Sequence, residues 1–140
     1  MDKRVLPNEV FLEEVGSLLD EGREVSFTPL GSSMLPFIRG GRDSVRLQKK
    51  ESLQVGDIVL VRLQGRYVLH RIIALEGEKV TLMGDGNIVG TESCLRSDVM
   101  GTVVAIQKGK REVIPGKGKF WRAIKPFRRY ILAIYRRLPL

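Results

Sequence analysis

A chain of 140 residues with 43% hydrophobic content suits one domain with a real core. Its formal charge of +8 is placed unevenly: residues 108–140 hold eleven Lys/Arg against one acid, Glu112, while residues 1–107 hold thirteen against fifteen, so the body is near neutral and the excess belongs to the tail. A single cysteine, Cys94, excludes an intramolecular disulfide and fits a reducing compartment, and one histidine with one cysteine excludes an ordinary metal cluster.

Met1–Asn8 carries no apolar run of the kind a signal peptide needs. Nor does any stretch reach the roughly 18–20 apolar residues of a membrane span, so a soluble or peripheral protein is expected. Asn8 then Glu9 reads as a helix start, Val10, Phe11, Val15, Leu18 and Leu19 recur at helical spacing, and Gly22 marks the stop. From Glu24 the period becomes two, with Val25 and Phe27 alternating with Ser26 and Thr28, a strand running into the turn Gly31–Pro36. Further strands are expected at 44–47, 57–63, 66–75, 79–83 and 100–106, with hairpin turns at Gly65 and Gly77. Residues 108–119 read as a Gly/Lys-rich connector. Beyond them Trp121, Ile124, Phe127, Ile131, Ile134, Tyr135 and Leu138 share one arc of a basic amphipathic helix. The expected layout is therefore a helix over 1–23 packed on a mainly β domain over 24–107, followed by a linker and basic helix over 108–140.

Chemistry concentrates in two places. A serine becomes a nucleophile only when a neighbour takes its proton, and with one histidine in the chain any Ser–His pair must use His70. The ordered segments are Gly31-Ser32-Ser33-Met34-Leu35-Pro36, Leu53-Gln54-Val55-Gly56-Asp57-Ile58-Val59, Leu69-His70-Arg71-Ile72, Gly84-Asp85-Gly86-Asn87 and Asp98-Val99-Met100-Gly101-Thr102-Val103. Together, over about residues 25–106, they resemble the signal-peptidase (S24/S26) group of serine proteases, and the His-Arg-Ile segment resembles its histidine branch rather than the lysine-using housekeeping enzymes or LexA-like repressors.

That resemblance implies a signal-peptidase/LexA-like β domain with Ser33 as nucleophile and His70 as base. It also implies shallow pockets for small side chains near Thr28, Leu30 and Met34, and no cofactor. Gly31 and Ser32 would shape the turn that presents backbone N–H groups to the oxyanion; the family's helping hydroxyl two residues before the nucleophile is replaced here by Gly31. Asp85 is the first choice for the acid that orients His70. The family's second acid would fall at Thr91, so the adjacent Glu92 is the alternative and Asp98 a distant third. Taken singly, Ser33 also reads as a turn serine, His70 as a packed strand residue, and Gly84–Asn87 as a plain turn. Asp57 reads as a turn-shaping residue, and Cys94 as inert.

The expected function is a serine endopeptidase that cleaves a leader or precursor peptide laid alongside the strand ending near Leu30, in the cytoplasm or at the inner membrane surface. A peptide-binding module of the same fold without activity, and a repressor-related nucleic-acid binder, are the alternatives. The aromatic and basic faces of residues 120–138 favour docking on the domain or contact with anionic membrane over nucleic acid.

Overall fold

The computed structural model describes residues 3–5, 9–29, 34–63, 65–84, 90–117 and 132. Among them are one α-helix and nine strands in a single sheet, so the protein is mainly β. Helix α1 (Glu9–Asp20) forms because its apolar residues repeat on one side: Val15 and Leu19 are buried one turn apart, while Glu13, Glu14 and Ser17 face solvent. It stops at Gly22, whose φ of +84° is open to a residue without a Cβ. There the Gly22 amide donates to Leu19 O at 3.0 Å and the Arg23 amide to Leu18 O at 3.1 Å, which satisfies carbonyls the helix end would strand.

The strands are β1 (Lys3–Val5), β2 (Val25–Thr28), β3 (Ser44–Gln48), β4 (Ile58–Leu63), β5 (Arg66–Glu76), β6 (Lys79–Met83), β7 (Glu92–Leu95), β8 (Val99–Lys108) and β9 (Arg111–Val113). Their order is β1-β2-β3-β8-β4-β5-β6-β7, with β9 added to β8. The β4–β5 and β5–β6 pairs are hairpins closed at Gly65 and Gly77, and β8 returns late in the chain to lie between β3 and β4. Every pairing is antiparallel except β1 on β2. Register shifts at Arg46/Leu47, Leu60/Val61 and Ile72/Ala74 mark irregularities of the kind that bend and twist a sheet.

Two apolar clusters share the sheet. One joins α1 to β2, β3 and β8 through Val15, Leu19, Phe27, Val45, Leu47 and Val103, and also takes Ile58 and Leu60 from β4. The other takes Val59, Val61 and Leu63 from β4 and joins them to Ile72, Val80, Leu82 and Cys94. Successive residues of β4 thus serve opposite faces, which accounts for its unbroken apolar run.

The six expected strands after α1 are present. Three more, β1, β7 and β9, are short, and β9 lies within the stretch read from sequence as a connector. Of the expected basic helix, only Leu132 is described; it is helical and fully buried, and the rest of 120–138 lies outside the described residues. No helix among the described residues is long and apolar enough to cross a membrane.

Candidate active site

His70 sits in β5 opposite Val59 of β4 and is 6% exposed. Strand β6 pairs with β5 only from Arg71 onward, so residues 66–70 extend beyond it. Glu92, the first residue of β7, comes to that end of β5. Its Oε1 lies 3.1 Å from His70 Nδ1, an ion-pair distance. Its Oε2 is 2.5 Å from Nη2 of Arg66, an exposed side chain four residues before His70 on the same strand. One carboxylate therefore serves both side chains, with one oxygen for each. A carboxylate on Nδ1 favours the tautomer with Nε2 unprotonated, the form a general base requires.

The segment bearing Ser33 is held at both of its described ends. Ahead of it, Pro29 O accepts from the Gly41 amide at 2.6 Å. Behind it, Met34 is 3% exposed in the core beside Phe27 and Ile38, and Met34 O accepts from the Phe37 and Ile38 amides at 3.0 and 2.9 Å. The loop closes on Asp43, whose Oδ2 accepts from the Arg39 amide at 2.8 Å and from Lys108 Nζ at 2.6 Å. Ser33 itself, with Leu30, Gly31, Ser32 and Asp85, lies outside the described residues.

Of the residues expected at the substrate pocket, Met34 is 3% exposed and belongs to the apolar cluster that also holds Phe27. The Thr28 hydroxyl is buried against Ser44 Oγ at 3.0 Å. The remaining acid weighed from sequence, Asp98, accepts from the Leu95 amide at 2.9 Å and so closes the turn after β7. Cys94 is buried, and burial first, then the Asp98 charge, push its thiol up to about 11; a thiol so protonated is a poor nucleophile. Asp57 shapes a turn, its Oδ2 accepting from the Gln54 amide at 2.9 Å.

Sequence reasoning passed over Arg66 and Arg71. Arg66 had one available signal, since residues 66 and 70 share a face of a strand. Arg71 is 1% exposed, the largest fully buried side chain of the described protein. Its Nη1 donates to Gly56 O at 2.8 Å and Gly116 O at 2.7 Å, and its guanidinium lies 5.1 Å from the centre of the Phe37 ring. Carbonyl dipoles and an aromatic face thereby replace the water a buried cation loses. The side chain next to His70 thus binds together the loop after Ser33, the Gly56 turn and residues 114–117. Lys117 Nζ pairs with Asp57 Oδ1 at the same junction.

Among the described residues no three His, Cys, Asp or Glu side chains gather as metal ligands. No family model and no curated protein matches the chain.

Proposed function

We propose that the chain is a serine endopeptidase of the signal-peptidase (S24/S26) type, cleaving a leader or precursor peptide with Ser33 as nucleophile and His70 as base. The observation that carries this reading is the 3.1 Å approach of Glu92 Oε1 to the nearly buried Nδ1 of the chain's one histidine. A buried histidine is ordinarily satisfied by a neutral partner; one facing a carboxylate is poised to hold a proton briefly and give it back. Glu92 takes the orienting role because it is the acid placed on His70, while Asp85, first by motif, lies outside the described residues. A mainly β fold and a fixed frame on both sides of the Ser33 segment are consistent with the same reading.

In the reaction so proposed, Ser33 Oγ adds to the scissile carbonyl carbon as its proton passes to His70 Nε2. The imidazolium then protonates the leaving amine as the C–N bond breaks, and a water deprotonated by the same nitrogen hydrolyses the acyl ester. Glu92 stabilises the imidazolium through both steps. A site in the cytoplasm or at the inner membrane surface, with residues 120–138 touching anionic lipid, belongs to the same proposal.

The test compares cleavage of an extended leader peptide, with small side chains before the cut, by the native protein, Ser33→Ala and His70→Ala. Loss of turnover in both variants is expected, by about 100-fold or more. Equal turnover in all three removes the peptidase reading. Binding without turnover in the native protein points instead to a peptide-binding module.

A further inference from the structure

We propose that Lys3–Val5 is an internal occupant of the edge on which a peptide substrate binds, and that substrate enters by displacing it; the proposal rests on the peptidase reading above. Strand β2 has β3 on one flank and β1 on the other. It is also the strand that leads into the segment carrying Ser33. A peptide added to the sheet beside Ser33 must use the outward backbone N–H and C=O groups of β2, as strand addition does generally. Those groups are the ones β1 takes, with Lys3, Arg4 and Val5 registered on Ser26, Phe27 and Thr28.

The cover is weak by construction. It is three residues long where strands ordinarily run to about five or six, and it is the one parallel pair among the described strands, the slightly less stable kind. A short strand at a sheet edge opens locally without unfolding the rest. Yet β1 is tethered through residues 6–8 to α1, which Val15 and Leu19 fix in the core. A short tether sustains an effective concentration on the order of millimolar, so a weak pairing still keeps the edge filled when no peptide is present. Filling it also hides an open strand edge from other chains. The arrangement is thus a competitor built into the fold, which lets a well-matched extended peptide in and keeps poorly matched ones out.

Two variants test this. Adjacent strand residues turn their N–H groups to opposite flanks, so Lys3→Pro/Arg4→Pro removes whichever donor faces β2. Lys3 and Ser26 are direct Cα partners, at a sheet spacing of about 4.8 Å that a disulfide spans, so Lys3→Cys/Ser26→Cys locks the cover when oxidised. Binding of a fluorescein-labelled extended peptide is measured with each change in a Ser33→Ala background, and cleavage of the same peptide with Ser33 intact.

The proline form is expected to bind about fivefold tighter than the native sequence, because the competent fraction rises. The oxidised form is expected to bind about tenfold more weakly, with reductant restoring the native value. Equal binding by all forms overturns the proposal and leaves the peptidase reading to its cleavage data. The expected binding order with no cleavage supports the internal occupant and removes the peptidase reading. No binding by any form overturns both. If the proline protein does not fold, the disulfide arm decides alone, since its two states differ by one reducible bond.

Discussion

Arg71 and Gly116 are joined by a 2.7 Å hydrogen bond that fastens the segment after β9 to the strand carrying His70. The same nitrogen holds Gly56 O, whose residue is itself tied into β5 by its amide on Ile72 O at 2.8 Å. His70 therefore sits one residue from a junction where three otherwise distant segments meet. A lysine at 71 keeps the charge but has neither the fork nor the planar face for Phe37. Arg71→Lys is expected to lower stability by about 2–4 kcal/mol, since a buried cation loses partners it cannot replace. A urea midpoint equal to that of the native protein would dismiss the junction as ornament.

Gly56 is the second place to strike the same junction. Its φ is +100°, and a Cβ there would fall 2.6 Å from Lys117 Cβ and 2.8 Å from the Lys117 carbonyl oxygen. Gly56→Ala therefore combines backbone strain with a collision against main chain that has little room to yield. We expect a loss of about 1–3 kcal/mol and faster proteolysis within residues 114–117. Native protection of that segment from limited trypsin at Lys117, unchanged in the variant, would contradict this.

The Glu92–His70 contact makes a prediction with a definite sign. Cleavage by Glu92→Gln is expected to fall about tenfold at the pH where the native protein is fastest, because the ring loses the carboxylate that orients it. An unchanged rate in Glu92→Gln would remove Glu92 from the orienting role.

Cys94 predicts how stability responds to alkali. The folded thiol titrates at about 11 against a reference of 9.0, so the unfolded chain gives up its proton first. The stabilising contribution is complete below about pH 9 and is lost as pH climbs toward 11. Chemical denaturation from pH 8 to 11 should show a steeper decline for the native protein than for Cys94→Ala, and matching slopes would refute the assignment. The thiol should likewise resist alkylation in the folded state at neutral pH.

The alternation of Val25 with Phe27, the helical spacing of Val15 and Leu19, and the glycines at 22, 65 and 77 make α1 and the longer strands legible in the chain itself. Those signals are local, and local periodicity is what a sequence displays openly. Strands β1, β7 and β9 carry three or four residues each without the apolar alternation that makes the four-residue β2 legible, and exist because a partner strand offers an edge. The site divides in the same manner. Ser33 and His70 can be named from ordered segments, and Glu92 from its place after Gly84–Asn87. Arg71 cannot, because its partners at 37, 56 and 116 are brought together by the order of the strands.

Strand β4 presents apolar side chains to both clusters, Ile58 and Leu60 to one, Val59, Val61 and Leu63 to the other. A slip of one residue would exchange these sets without exposing either to water, so hydrophobicity alone does not police this alignment. The discriminating information resides at the ends of the β4–β5 hairpin: the Gly65 turn, the hydrogen bond from Arg62 to the Tyr67 hydroxyl, and the Ile72 amide on Asp57 O. A misaligned hairpin is therefore compact and dry and still moves His70 off Val59, its partner across the β4–β5 ladder. For this protein, recovery of native compactness on refolding and recovery of the Val59–His70 register are separate events, and only the second reports that β4 has chosen its partner residues correctly.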